Sequence, residues 1–292
     1  METHKYVHIL LRSLHGSITH YFHFMYGVLL PIILEYIEYS KKYKNLTFII
    51  SEDLGPMLKI LLQLPIDIKL KEFIKDYDNL NVEIIKTKPM DIHPIGADRD
   101  RQMIEDKKAK YLTQNDYQKI NNFMKDCILN YDLFLCYKKY DVVIIERKTT
   151  IGYTTTNFGQ NIYTSIMKKS GKERRSIKNH ENFVKTIKSI FVDSDVINIS
   201  LENLPLFEQY NLFNNAKIVI GQHGAGLGNI VFMKKNSIVI EIISKKKLYG
   251  GEDWFMQISK PCDIKHHKFI TEEEHVDIDN NKFKKFIQNI MK

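Results

Sequence analysis

Short apolar runs of strand length alternate with longer amphipathic stretches along most of this 292-residue chain. Apolar runs of about four to eight residues are typical of buried strands, and apolar residues repeated every three or four positions are typical of helices. In the first half we predict strands at 7–11, 46–50 and 82–85, and helices at 18–39 (bent at Pro31), 55–64 and 99–130. In the second half we predict strands at 141–145, 196–199, 217–221 and 237–242, and helices at 176–190, 204–214, 224–232, 252–260 and 280–292. Strands that alternate with helices indicate parallel sheets covered on both faces.

This alternation occurs in two sets, which predicts an α/β protein of two Rossmann-like domains with a cleft between them and a closing C-terminal helix. At roughly 150 residues per domain, the length of the chain allows that division. We place the boundary so that one domain takes residues 1–138 and the other takes residues 139–292. Residues 149–171 form a polar stretch with Gly152 and Gly159, which predicts a long insertion in the second domain.

The chain is basic, and most of its excess positive charge lies in the second half. Residues 1–150 contain 22 basic and 20 acidic side chains, residues 151–292 contain 21 and 15, and the formal charge is +8. A basic protein can suit nucleic acid, an anionic membrane surface or a small phosphorylated substrate. Nucleic-acid-binding proteins usually show long basic runs or basic stripes with aromatic residues, whereas the clusters here are two or three charges long. We therefore expect no nucleic-acid partner.

Cysteine spacing and hydropathy give no sign of a metal site, a disulfide framework or a membrane span. Cys127, Cys136 and Cys262 form no C-x-x-C motif. The longest uncharged apolar stretch, residues 24–34, has 11 residues, and a spanning helix needs about 20. The first residues lack the basic, apolar and small-residue order of a signal peptide. We expect a cytoplasmic protein without a membrane span.

The most informative segment is a strand that ends in a glycine-rich turn, residues 216–233, with the sequence AKIVIGQHGAGLGNIVFM. Glycines at the end of a strand let backbone N–H groups approach a phosphate, and the start of the next helix favours negative charge. Open α/β sheets bind ligands at the carboxyl ends of their strands. The spacing matches neither the dinucleotide motif nor a Walker A loop. The segment predicts a diphosphate site with His223 at the turn, and the alternative is a tight turn required only by packing.

The same residues resemble the C-terminal signature of glycosyltransferase family 61. In that family a strand leads to His-Gly-Ala-Gly-Leu-Thr-Asn, an apolar helix and a strand that ends in an Ile-Glu-Ile-like triplet. The chain matches from His223 to Leu227, at Asn229 and at residues 240–242, with Gly228 where the family usually has threonine. Three further segments resemble family elements: 142–147 a strand that ends in arginine, 174–181 an Arg-Arg-x-x-x-Asn-x-Glu element, and 20–31 a His-Phe/Trp…Leu-Pro helix.

The resemblance implies an inverting transfer of sugar from a nucleotide sugar to a saccharide or protein hydroxyl, on the two-domain fold called GT-B. The C-terminal domain would hold the donor, and the N-terminal domain would hold the acceptor. A donor diphosphate favours arginine, lysine and backbone donors, so no metal or other cofactor is expected. Among the donor-binding residues, arginines would contact phosphate and Glu241 would accept hydrogen bonds from ribose. The residues expected to bind the donor are Arg147, Arg174, Arg175, His223, Gly224, Gly226, Asn229 and Glu241.

Inverting transfer is a single displacement, so it needs a general base near the acceptor hydroxyl. Histidine suits that role near neutral pH. His15, His20 and His23 lie on the first loop and helix. We expect His23 to be the catalytic base, with His20 as the second candidate. A histidine on an apolar helix also fits a buried core residue, and that alternative stays open.

Two alternative functions remain. Asp193 and Asp195 form an Asp-x-Asp pair directly after an apolar run. In the other large transferase fold, GT-A, such a pair binds a divalent metal and the donor diphosphate, because carboxylates suit Mg²⁺ or Mn²⁺. The pair therefore predicts a metal-dependent transferase. The second alternative is a non-catalytic protein that binds a nucleotide or a nucleic acid through its basic half.

Overall fold

The computed structural model describes residues 4–11, 21–91, 110–130, 138–148, 155–157, 160–164, 172, 175–202, 204–249 and 254–292. These residues divide into two compact units. The first unit contains the described residues up to Asp91, residues 110–130 and the two strands between 155 and 164. The second unit contains residues 138–148 and the described residues from 172 onwards. Each unit is built on a parallel sheet, which confirms the predicted α/β class.

The first unit has a four-stranded parallel sheet in the order β3-β2-β1-β4. Its strands are β1 (Lys5–Leu10), β2 (Leu46–Ile50), β3 (Asp67–Leu70) and β4 (Val82–Lys86). The sequence prediction misses β3, because its residues alternate between exposed and half-buried and include two charged side chains. The order is that of the first four strands of the dinucleotide-binding fold.

A long helical segment with a π-helical middle leads from β1 towards β2. It consists of α1 (Tyr21–Phe24), a π-helical stretch (Met25–Leu29) and α2 (Leu30–Ser40). Pro31 has no N–H to donate to the carbonyl of Gly27. A π-helical turn is one way in which a helix accommodates such a missing hydrogen bond. The predicted helix is confirmed over the described residues, and its π-helical stretch lies just before Pro31.

Shorter elements complete the first unit. Helix α3 (Leu58–Leu61) follows a 3₁₀ turn (Gly55–Met57), so the helix predicted at 55–64 is shorter than expected. Helix α4 (Gln114–Asn130) confirms the second part of the helix predicted at 99–130. Residues 110–111 form a strand instead, and residues 99–109 lie outside the described ranges. The remaining elements are 3₁₀ turns at Lys71–Phe73 and Tyr77–Asn79 and the paired strands β5 (Met90–Asp91) and β6 (Lys110–Tyr111).

The second unit has a five-stranded parallel sheet in the order β11-β7-β12-β13-β14. Its strands are β7 (Val142–Ile145), β11 (Val196–Ile199), β12 (Ile218–Gln222), β13 (Ile238–Ser244) and β14 (Lys265–Thr271). Its helices are α5 (His180–Ile190), α6 (Leu206–Asn215), a 3₁₀ helix (Ala225–Phe232), α7 (Lys245–Tyr249), α8 (Trp254–Ser259) and α9 (Asn280–Ile290).

Helices α5 and α9 cover one face of this second sheet. Ile144 and Ile220 pack in one buried cluster with Phe183 of α5 and Phe283 of α9. Helix α9 is the predicted closing helix. The alternate strand residues point to the opposite face, and the 3₁₀ helix that follows β12 packs against α6 and α8. Of the helices in the described ranges, none has the length and apolar character that crossing a bilayer requires.

Several predictions in the second half need correction. Residues 176–177 form strand β10 (Ser176–Ile177), which pairs with β15 (His275–Val276), so the helix predicted from 176 begins at His180. Residues 225–232 form a 3₁₀ helix where an α-helix is predicted from 224. Strand β14 is not predicted, because Lys-His-His-Lys resembles a polar surface segment. Within the predicted insertion 149–171, β8 (Thr155–Asn157) and β9 (Gln160–Thr164) form an antiparallel pair in the first unit.

The strand order of the second sheet contains a topological switch point. The chain places β11 on one side of β7 and β12 on the other. In chain order the sheet is 2-1-3-4-5, an order in which doubly wound proteins bind ligands between strands 1 and 3 at their carboxyl ends. Ile145 at the end of β7 pairs with Gly221 near the end of β12. The segments that follow β7 and β12 therefore lie side by side.

Candidate functional site

The glycine-rich segment forms a tight turn at the carboxyl end of β12. The backbone N–H of His223 donates to the carbonyl of Ile242 at 2.8 Å, so the turn begins within the sheet. Gly224 has an extended backbone (φ 163°), which any residue can adopt. A Cβ atom at Gly224 would nevertheless collide with Nη1 of Arg147. A side chain at position 224 would therefore displace the end of Arg147, which passes over the turn.

Two arginines from different segments converge on the backbone carbonyl of His223. Nη1 of Arg147 donates to this oxygen at 3.3 Å, and Nη1 of Arg175 donates to it at 3.1 Å. Nε of Arg175 also donates to Oε1 of Glu274 at 2.7 Å, and the Arg175 side chain is only 5% exposed. The protein therefore neutralises Arg175 internally, whereas Arg147 also borders an open pocket. Arg174 lies outside the described residues.

Behind the turn, Glu241 lies between two histidines in the interior of the second unit. Its Oε1 is 2.5 Å from Nδ1 of His223. Its Oε2 is 3.1 Å from Nε2 of His266. Burial acts to raise the pKa of Glu241, but the contacts with His223 and His266 outweigh burial and hold that pKa at about 2. The carboxylate is therefore ionised and bound by protein groups, and at 1% exposure it does not line the open pocket that Arg147 borders.

His266 is the residue of this cluster that sequence reasoning misses. It lies on β14, which pairs with β13, the strand that carries Glu241. Its side chain is 3% exposed although the segment around it is polar. A usable signal is the pair His266 and His267 just before the apolar Phe269, since a strand next to β13 would turn one of these histidines inwards.

Asn229 and Gly226 shape the turn from the inside. The Asn229 side chain is fully buried, and its Nδ2 donates to Oε1 of Gln209 at 2.9 Å. The same nitrogen lies 3.4 Å from the carbonyl oxygen of Gly226. A Cβ atom at Gly226 would approach Cδ1 of Leu201 at 3.2 Å. These contacts assign both residues to the packing of the turn and give no support to direct contact with a donor.

An open pocket of about 370 Å³ lies at the switch point, next to the ends of β7 and β12. Its volume falls within the range of about 300–1,000 Å³ that is usual for small-molecule sites. Cationic groups outnumber carboxylates in its wall, so the pocket favours an anion. The charged and titratable residues that line it are Glu146, Arg147, Lys172, Lys178, His180 and Glu181.

The predicted catalytic base, His23, lies in the first unit. His23 is the third residue of α1, is half-buried and packs its ring against Phe22 with centroids 6.0 Å apart. His15 and His20 lie outside the described residues. His23 therefore has the environment of a partly buried helix residue, and its catalytic role stays a prediction.

The alternative metal-binding pair lies away from the glycine-rich turn. Asp193 and Asp195 precede β11, at the amino edge of the second sheet, and the turn follows the carboxyl end of β12. Asp195 forms an ion pair with Lys138 at 2.8 Å. In the described part of the chain, no group of three or more His, Cys, Asp or Glu side chains is arranged to hold a metal ion. This arrangement gives the metal-dependent alternative no support.

The sequence profile of the glycosyltransferase 61 family matches residues 21–240, which are 220 of the 292 residues. The chain belongs to the glycosyltransferase 61 family, as the sequence motifs predict. A xylan glycosyltransferase of Arabidopsis thaliana is 27% identical to it over 95 residues. That alignment covers 32% of this chain and 19% of the Arabidopsis protein, so the chain aligns with only a fifth of that relative's length.

Proposed function

We propose that this protein is an inverting glycosyltransferase that moves a sugar from a nucleotide-sugar donor to a saccharide or protein hydroxyl without an essential metal. The observation that carries the proposal is the pocket at the switch point, where Arg147 crosses Gly224 beside the glycine-rich turn. A guanidinium group pairs well with phosphate oxygens because its donors form a planar fork. Membership in the glycosyltransferase 61 family supports the chemistry of sugar transfer.

The proposal assigns a separate role to each unit. The two units would be the Rossmann-like domains of a GT-B fold, with the donor on the second and the acceptor on the first. The strand orders of the two parallel sheets support this assignment, since both orders occur in nucleotide-binding folds. His23 would take the proton of the acceptor hydroxyl, with His20 as the second candidate. A cytoplasmic location belongs to the same proposal.

Release of nucleoside diphosphate from a panel of nucleotide sugars tests the proposal. Xylo-oligosaccharides belong among the acceptors, because the Arabidopsis relative is a xylan glycosyltransferase. We expect release from at least one donor, and the same rate with and without EDTA. Loss of activity in EDTA would favour the metal-dependent alternative with Asp193 and Asp195. Failure to turn over any donor, together with failure to bind any nucleoside diphosphate, would contradict the proposed function.

A further inference from the structure

The pocket on the second unit contains a carboxylate that phosphate binding does not explain. Glu146 directly follows β7 and lines the pocket beside Arg147. A carboxylate repels a nearby diphosphate, so a pocket built only for phosphate would do better with a neutral or basic side chain at this position. An ionised carboxylate only accepts hydrogen bonds. Glu146 therefore indicates a ligand that carries hydrogen-bond donors next to its anionic group.

Neighbouring groups hold Glu146 in one orientation. Its backbone N–H donates to the carbonyl of Ile199 at 2.8 Å, and its Oε2 accepts from Nδ2 of Asn198 at 3.0 Å. Oδ1 of Asn198 lies 2.9 Å from Nε2 of His180. Because the amide nitrogen of Asn198 donates to Glu146, its oxygen accepts, and the network assigns the proton to Nε2 of His180. Within the described residues the Glu146 carboxylate has no other hydrogen-bond donor, so Oε1 keeps its capacity to accept one from a ligand.

Glu241, the carboxylate that the sequence suggests for the ribose, does not have this freedom. Its two oxygens face His223 and His266, and its side chain is 1% exposed. Glu146 is half-buried and borders the pocket. Glu241 lies in the middle of β13 instead of at its end, as the sequence suggests, so Glu146 is the carboxylate that a ligand in the pocket can reach.

We propose that Glu146 accepts hydrogen bonds from the ribose hydroxyls of the donor nucleotide, and that Asn198 and His180 position its carboxylate. This inference rests on the proposed function. Hydroxyl groups donate short, charge-assisted hydrogen bonds to a carboxylate. The pocket then combines cations for the diphosphate with one carboxylate for the ribose, while the second carboxylate in its wall, Glu181, is exposed.

The test compares ribonucleotides with 2′-deoxyribonucleotides. UDP, GDP, ADP and CDP and their 2′-deoxy forms are titrated calorimetrically into the 292-residue protein, its Glu146→Gln variant and its Glu181→Gln variant. Glu181 is an exposed carboxylate in the first turn of α5 that lines the same pocket, so its variant is the matched control for charge. For the ribonucleotide that binds best, we expect wild type to prefer it over its deoxy form by about tenfold or more. Glu146→Gln should lose that preference, and Glu181→Gln should keep it.

The outcomes separate this inference from the proposed function. If Glu146→Gln binds nucleotides with the wild-type preference for ribose, or if wild type shows no preference, the ribose assignment is overturned while diphosphate binding still supports the transferase. If wild type binds no nucleoside diphosphate, the proposed function and the assignment are both contradicted. If Glu146→Gln does not fold, as judged by circular dichroism, Glu146→Asp replaces it. That variant keeps the charge but shortens the side chain, so an unchanged preference in it overturns the assignment as well.

Discussion

Arg147 and Arg175 donate to the same carbonyl oxygen, but their surroundings predict different consequences when each is removed. Arg147 borders the pocket, so Arg147→Ala should weaken nucleoside diphosphate binding by about tenfold to a hundredfold, the usual range for a charged hydrogen bond. Arg175 is buried against Glu274. Arg175→Ala leaves that carboxylate without its cation and should lower the free energy of unfolding by roughly 1–3 kcal/mol.

Titration calorimetry and urea unfolding of both variants distinguish these two roles. We expect Arg147→Ala to unfold at nearly the same urea concentration as wild type. If instead Arg175→Ala loses affinity at unchanged stability, Arg175 is the phosphate ligand and the assignment of roles above is wrong.

The low pKa of Glu241 predicts how stability depends on acid pH. The folded protein keeps Glu241 ionised down to about pH 2, whereas in the unfolded chain it has its ordinary pKa of 4.5. A pKa that is lower in the folded state stabilises the fold at pH values above the pKa of the unfolded state. This contribution is lost as the pH falls from about 4.5 towards 2. The full contribution is roughly 3 kcal/mol, from the usual conversion of a pKa difference into free energy.

Urea unfolding of wild type and Glu241→Gln between pH 2 and 7 measures this contribution. The difference in free energy of unfolding should be largest above pH 4.5 and should shrink towards pH 2. The Asp195→Asn variant is a matched comparison. Asp195 is an exposed carboxylate that pairs with Lys138, so this variant should change the free energy of unfolding little at any pH. A difference for Glu241→Gln that is constant with pH would contradict the coupling to His223 and His266.

The glycine-rich turn as an element depends on small residues for two separate reasons. Gly224→Ala places a Cβ atom where the Arg147 guanidinium lies, so the arginine must move and nucleotide affinity should fall. Stability should change little, because the extended backbone of Gly224 suits alanine. Gly226→Ala is the control: its Cβ meets side-chain atoms of Leu201 and Ile145 at 3.2 and 3.4 Å. It should lower the midpoint of thermal unfolding, since overpacking costs about 1–3 kcal/mol.

Thermal unfolding and nucleotide titration of the two variants check this prediction together. Wild-type nucleotide affinity in Gly224→Ala would show that the position of Arg147 over the turn does not matter for binding. Wild-type stability in Gly226→Ala would show that the core beside the turn has room for a methyl group.

The predicted elements also show which sequence patterns are informative. Strands β2 and β11 match the predicted bounds, because apolar and β-branched residues between polar turns seldom fit another structure. Strand β14 carries charged residues at its start and gives no such pattern, although it completes the sheet beside β13. The 3₁₀ helix after the turn differs from the predicted α-helix because the glycines weaken any helical preference. Apolar periodicity therefore reveals buried elements. A polar edge strand such as β14 is recognised only from its pairing with a neighbouring strand in the folded sheet.

Across the chain as a whole, the net charge of +8 is spread over basic clusters only two or three charges long, which predicts selectivity for small anions over nucleic acid. Some lysines of the second half are paired locally, as Lys217 is with Asp141 and Lys235 is with Asp263. Nucleic-acid affinity depends on many phosphate contacts and falls steeply with salt. At physiological salt we therefore expect no mobility shift of single-stranded or duplex nucleic acid, while calorimetry detects a nucleoside diphosphate. A salt-dependent shift under these conditions would favour the non-catalytic binding protein.

The sequence alone determines the α/β class, the family and the place of the glycine-rich turn. These features are encoded in contiguous residues, since a strand, its turn and the following helix occupy the 18 positions 216–233. Only the tertiary structure decides which carboxylate borders the pocket. Glu241 lies within the apolar strand β13 and Glu146 follows the apolar strand β7, but sheet pairing places Glu241 between His223 and His266 and leaves Glu146 at the edge of the pocket. Side-chain direction depends on the register of neighbouring strands, and residues far apart in sequence set that register.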